Sequence, residues 1–166
     1  MSVFTQIAQS IAGSPVNHLA TDLLRNVPGL PPIMQTVHIF SIACVMASIV
    51  MIDLRVLGLA VPSQSPQEMV RRLMPWLWTA LVLLALSGLM FVVARPRRYF
   101  VNPVFGAKFA LLALAIFFTV IVQRLVKKSS NAAFTKLAAA FSLMAWIGVV
   151  LAGRWIAYAD YLFPPE

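Results

Sequence analysis

Apolar positions along the chain fall into four long runs separated by short polar or basic stretches. The first covers residues 33–52, where the only ionisable side chain besides the thiol of Cys44 is His38, and it closes on Asp53 and Arg55. Helical rise over a run of that length covers roughly 30 Å, the hydrocarbon thickness of a bilayer. The second, 76–94, begins with Trp76 and Trp78, rings suited to an interfacial belt, and stops at the basic stretch Arg95-Pro96-Arg97-Arg98-Tyr99. Asn102-Pro103 leads into the third, 104–122, where proline suits a first helical turn, and Arg124, Lys127 and Lys128 close it. Lys136 precedes the fourth, 137–158, with Tyr158 and Tyr161 as belt residues. Between the first two runs Pro62, Ser63, Ser65 and Pro66 mark a loop, and helical spacing resumes from Glu68 to Met74 around Arg71-Arg72.

Small residues recur on one side of each run: Ser41, Cys44 and Ser48; Ser87-Gly88; Gly106, Ala110 and Ala113; Ala138, Ser142, Ala145, Val149 and Ala152. Such stripes let helices approach closely. The pattern predicts an all-α polytopic membrane protein, an antiparallel four-transmembrane-helix bundle over residues 31–166. Residues 1–30 read differently. Val3, Ile7 and Ile11 recur at helical spacing, as do Leu19, Leu23 and Leu24, and Pro15 divides them. Two short amphipathic helices lying in the interface are expected, with Ser14 or Asn17 as a cap. Pro28-Gly29-Leu30-Pro31-Pro32 then turns the chain into the bilayer.

Composition sharpens this picture. The chain is 61% hydrophobic and 11% charged, with a mean hydropathy of +0.87, whereas soluble domains carry about 25% charge. Most of the exterior must face lipid. The net charge is +8, from 13 Lys and Arg against 5 Asp and Glu. The bases flank apolar runs, where anionic lipid headgroups and topology signals place them, and no interleaving of bases with aromatics points to nucleic acid. Cys44 is the single cysteine, so no intrachain disulfide or cysteine metal site forms. Residues 1–14 lack the basic and apolar regions of a signal peptide. With the N-terminus outside, the inner loops hold seven bases and the outer segments six, a slight vote for N-out and C-out.

Alternating spans put His38, Met90, Arg95, Lys108 and Arg154 at one membrane face, the N-terminal one. Asp53, Arg55, Arg71, Arg72, Arg124 and Lys136 gather at the other. Charges inside spans cost a few kcal/mol each unless paired, hydrated or snorkelling. Lys108 and Arg154 therefore call for an anionic partner: haem propionates, a phospholipid headgroup, an anionic substrate, or the nearby Asp160 and Glu166. Failing that, each snorkels alone. His38 is a candidate haem-iron ligand, and so a candidate metal ligand, with Met90 or a folded-back His18 as the second. The plainer expectation is a hydrogen bond between helices. Asp53 and Arg55, two apart, do not face each other, so Asp53 is expected in a structural ion pair with Arg71, Arg72, Arg124 or Lys136 rather than in a proton relay. No phosphate loop, paired metal histidines, nucleophile elbow or carboxylate pair appears, so no independent catalytic activity is expected.

His38 followed by Ile52-Asp53-Leu54-Arg55-Val56-Leu57-Gly58-Leu59, then Asn102-Pro103-Val104-Phe105 to Lys108, Ser142-Leu143 to Trp146, and Ala152-Gly153-Arg154-Trp155-Ile156-Ala157-Tyr158 resembles the motifs of a bacterial domain-of-unknown-function family of short four-span inner-membrane proteins. The resemblance covers most of residues 30–160 and implies architecture and the bacterial plasma membrane more than an activity. Gln35 stands where that family often has an acid three residues before the histidine, which argues against proton transfer by the pair. A looser likeness to copper-resistance-D-like and cytochrome-b-like bundles rests on the first-span histidine.

Three readings follow. A bundle holds an anionic cofactor, haem b foremost, or a lipid, and works with quinone or redox subunits. A non-catalytic accessory subunit sits in a larger membrane complex. A small transporter or metal exporter uses Met34, Met46, Met51, Met90 and Met144 for Cu(I), although methionines in so apolar a chain more often fill space.

Overall fold

The computed structural model describes residues 3–129 and 131–158, and among them there is no strand. The expectations placed on Asp160, Tyr161 and Glu166 lie outside the described residues. In chain order the helices are α1 (Val3–Ile11), α2 (Pro15–Asn26), α3 (Leu30–Leu57), α4 (Pro66–Ala94), α5 (Pro96–Phe100), α6 (Pro103–Lys127) and α7 (Ala132–Ala157). Their starts follow local chemistry. Ser14, Ser65, Asn102 and Asn131 each accept a backbone N–H from the first turn of α2, α4, α6 and α7, with proline at the first turn of the first three. Gly29 starts α3 and Gly58 ends it, both left-handed, with φ of 81° and 83°. The Leu59 N–H returns to the Leu54 carbonyl beyond Gly58, closing the helix end as a glycine stop does.

Four helices, α3, α4, α6 and α7, are long and apolar enough to cross a membrane. Each runs past the apolar segment that announced it. Pro75 lies inside α4 without ending it, and the Thr79 hydroxyl donates to the Pro75 carbonyl at 2.9 Å. The bundle is two antiparallel hairpins. α3 packs along α4, α6 packs along α7, and α3 against α7 joins the pairs, whereas α4 and α6 touch little. Leu77, Ala115 and Ala139 have no exposed surface, and Ile49, Ile52, Val122 and Trp146 are buried among them. Outward, Phe40, Leu86, Phe117 and Leu137 are more than half exposed, an apolar coat whose solvent is lipid.

The small-residue face expected on the fourth run is the buried face of α7: Ala138, Ser142, Ala145, Val149 and Ala152 are all buried. Ser41 and Ser48 are buried on α3 and donate to the carbonyls of Val37 and Cys44. The third run corrects the expectation. Ala110 and Ala113 are exposed and Gly106 has open space around it. The packed stripe of α6 is Phe105, Lys108, Leu112, Ala115, Thr119, Val122 and Val126, spaced alternately by three and four. Small residues permit close approach but do not compel it, and the larger side chains of α6 supply the interlocking surface.

The N-terminal helices dock at the face from which α3 starts. α1 packs on α5 and α2 on α4. Asn17 Nδ2 donates to the Val93 carbonyl at 2.7 Å and to the Ala94 carbonyl at 3.4 Å, covering the open end of α4. At 3.6 residues per turn α2 has three sides. Asn17, Ala20 and Leu24 face the bundle; Val16, Leu19, Leu23 and Val27 form an exposed apolar stripe; His18, Asp22 and Arg25 form an exposed polar one. That is the arrangement of a helix lying in the interface plane.

Candidate functional site

Two of the ionisable side chains singled out in the sequence lie in the N-terminal half of the bundle, one in each hairpin. His38 leaves α3 on the stripe it shares with Ser41, Val45 and Ile52 and lies half-buried against α4. Its Nδ1 is 2.9 Å from Ser87 Oγ. The ring lies so close to Gly88 that a Cβ there would stand 3.2 Å from Cε1. Ser87 Oγ also lies 2.7 Å from the Leu83 carbonyl and 3.2 Å from that of Leu84, and the Leu84 backbone is a hydrogen-bond partner of the imidazole as well, so the ring is held to α4 by a hydroxyl and a carbonyl.

Lys108 is the charge that bears on this imidazole. It stands on the inward stripe of α6, and its Cε and Nζ lie over Gly153 of α7, each 3.7 Å from where a Cβ would be. The side chain crosses to the neighbouring helix rather than snorkelling out to headgroups, and no carboxylate lies within ion-pair distance of it among the described residues. The two glycines are thus seats, Gly88 for the imidazole and Gly153 for the ammonium, on one helix of each hairpin. Each side chain is seated within its own hairpin.

The other expected members are elsewhere. Arg154 is exposed, and its guanidinium donates to the Tyr158 hydroxyl at 2.8 Å and lies 5.0 Å from that ring centroid. One residue along α7 turns it away from Lys108 by about 100°. His18 is on the exposed polar side of α2. Met90 is half-buried on α4, one turn past Ser87. For haem, the sequence reading leaves open one ligand as well as two, and the described residues give one imidazole hydrogen-bonded to a hydroxyl and one inward cation, rather than two axial ligands and two cations. Nor do the methionines converge, since Met51 and Met144 are exposed on the bundle exterior. Among the described residues no three His, Cys, Asp or Glu group as a metal site.

At the opposite face the expected pairing of Asp53 is corrected. Glu68 takes both arginines, Arg71 Nη2 at 2.6 Å and Arg72 Nε at 2.5 Å, from positions three and four along the same helix. Arg55 Nε donates to the Gln64 carbonyl. Asp53 is 1% exposed and forms no ion pair among the described residues. A partner one turn away on the same helix is reached with little loss of freedom, which a partner across the bundle cannot match. Sequence reasoning missed Ser87 as the anchor of His38 and Gly153 as the seat of Lys108. Ser87 was visible only as a small residue at packing spacing, and Gly153 only as part of the Ala152-Gly153-Arg154 motif.

A family model with the description "Family of unknown function (DUF6644)" matches residues 30–159. That segment takes in α3 to α7 and every residue of the site, so the chain belongs to this family. No curated protein and no solved structure matches the chain.

Proposed function

We propose that this DUF6644 protein is a small bundle of the bacterial inner membrane that holds the acidic headgroup of a lipid at its N-terminal face, between the two hairpins. The observation that carries this reading is Lys108, a cation on the inward stripe of α6 seated over Gly153 with no carboxylate within ion-pair distance among the described residues. An ammonium in that position costs a few kcal/mol unless an anion meets it. A phosphate-bearing headgroup supplies the anion. The outward bases Arg25, Arg95 and Arg97 at the same face draw acidic lipids to the neighbourhood. The bacterial inner membrane rests on the sequence resemblance, and the N-out, C-out orientation on the loop charges.

The test is native mass spectrometry of protein purified in mild detergent, with phosphatidylglycerol added back after delipidation. One bound acidic lipid per chain is expected. Lys108→Met lowers occupancy about tenfold or more, the worth of one charge-assisted contact, while Arg154→Met leaves it unchanged. Equal occupancy in wild type and Lys108→Met overturns the reading. An absorption spectrum separates the redox alternative: a Soret band removed by His38→Ala assigns the pair to haem b, with quinone or redox subunits as partners, in place of lipid.

A further inference from the structure

The buried carboxyl at the other face has no part in that site. Asp53 Oδ2 is fully shielded and has no hydrogen-bond partner. The side chain facing its carboxyl is Ser142 of α7, itself wholly buried. Ser142 Oγ is 3.4 Å from Thr119 Oγ1 of α6, and Thr119 accepts from Trp146 Nε1 at 2.9 Å. Three helices thus bring a carboxyl, two hydroxyls and an indole into one enclosed layer.

The protons in this layer can be counted. Thr119 has one, and it goes to the Ala115 carbonyl at 2.8 Å. Trp146 donates into the same oxygen. Ser142 has one proton for two neighbours, the long contact to Thr119 and the carboxyl of Asp53, and Asp53 Oδ2 is left without a donor among the described residues. No charge offsets an ionised form. On α3, Arg55 is turned to Gln64; on α4, the Asp53 side presents Met69, Val70 and Met74 while Glu68, Arg71 and Arg72 bind one another; on α6, Arg124 and Lys127 are exposed; on α7, Lys136 is exposed two turns away. An unpaired buried carboxylate costs several kcal/mol, and such a group takes a proton instead.

A cavity of about 280 Å³ opens at this face between the ends of the four spans, lined among others by Val56, Gln67, Val126, Ser129, Thr135 and Lys136. Val56 lies one turn beyond Asp53, Val126 two turns beyond Thr119, and Thr135 two turns before Ser142. Only one buried layer, with Val122 and Ala138, separates the cavity from the carboxyl. We propose that Asp53 is a proton-binding site, a neutral carboxylic acid at rest that exchanges its proton with the loop face through this cavity.

The test uses the full chain in membranes or mild detergent. A hydrophobic carbodiimide reacts with protonated buried carboxyls: the acid proton passes to a carbodiimide nitrogen, the carboxylate oxygen adds to the central carbon, and an O-to-N shift leaves a stable adduct with no atom lost. The adduct is expected at Asp53 near neutral pH, falling as pH rises, and absent in Asp53→Asn. Infrared spectra of the wild type, which depend on no variant folding, are expected to show a protonated-carboxyl C=O stretch that carbon-13 labelled aspartate shifts. Its deuterium shift in D2O slows roughly tenfold in Ala132→Trp, which fills the cavity mouth. Absence of both the adduct and the labelled C=O band at neutral pH overturns the site. An exchange rate unaltered in Ala132→Trp overturns the route.

Discussion

Replacing Gly153 by progressively larger residues asks whether Lys108 is seated over α7. A Cβ at this position would meet Lys108 Cε and Nζ at 3.7 Å, ordinary van der Waals contact. Gly153→Ala therefore displaces nothing, and removing a glycine from a helix interior gains about 0.5–1 kcal/mol. Gly153→Leu places three further carbons where the lysine tail lies. Overpacking of that kind costs about 1–3 kcal/mol, so the leucine variant falls below wild type while the alanine variant rises above it. Lys108→Ala in the leucine background removes the clash and recovers stability, a coupling of about 1 kcal/mol or more in a double-mutant cycle. Cys44 is the single cysteine and half-buried, so a thiol-reactive fluorogenic dye reports thermal unfolding of wild type, the two Gly153 variants, Lys108→Ala and the double variant in one detergent. Alanine and leucine variants of equal stability, or no coupling with Lys108→Ala, would refute the seat and return Lys108 to the lipid headgroups.

Asn17→Ala strips the two donors from the end of α4; the amides of α2 should exchange with deuterium about five- to tenfold faster, while the melting temperature of the bundle stays put. Trp146→Phe loses the indole bond to Thr119 and leaves a cavity where the larger, buried ring stood, so it should cost more than the about 0.6–1.7 kcal/mol of an interhelical bond alone, read as a lowered unfolding midpoint. Gly58→Ala forces a side chain onto a left-handed backbone with φ of 83° and should cost about 1–2 kcal/mol in the same melt.

That there are four apolar helices was legible from run length, a local signal; their starts were less so, since α4 begins at Pro66 and α7 at Ala132, well before the apolar runs at 76 and 137. The packing side of α7 was legible too, since its small residues repeat over five positions. On α6 that rule failed: Ala110 and Ala113 face outward, and only the spacing of Lys108, Leu112, Ala115 and Thr119 marks the inward side. The common face of His38 and Lys108 followed from antiparallel threading. Their seats did not, because a glycine in a span looks alike whether it receives an imidazole, an ammonium or nothing. Asp53 misled in the opposite way. A lone acid near several bases suggests a pair, yet Glu68 reaches Arg71 and Arg72 within a turn of its own helix. The hydroxyls of Thr119 and Ser142 are one residue each in two separate spans, and nothing short of the fold brings them to a carboxyl.

The clasp between Asn17 and Val93 joins positions 76 residues apart, and this sets an order on biogenesis. When the leading helices emerge from the ribosome, the carbonyls they will cover have not been synthesised. Until α4 is inserted, the greasy edge of α2 must park the leader on the membrane surface. The leader then swings onto its acceptor only after the first hairpin has closed, so it acts as a latch on a finished hairpin rather than as its nucleus.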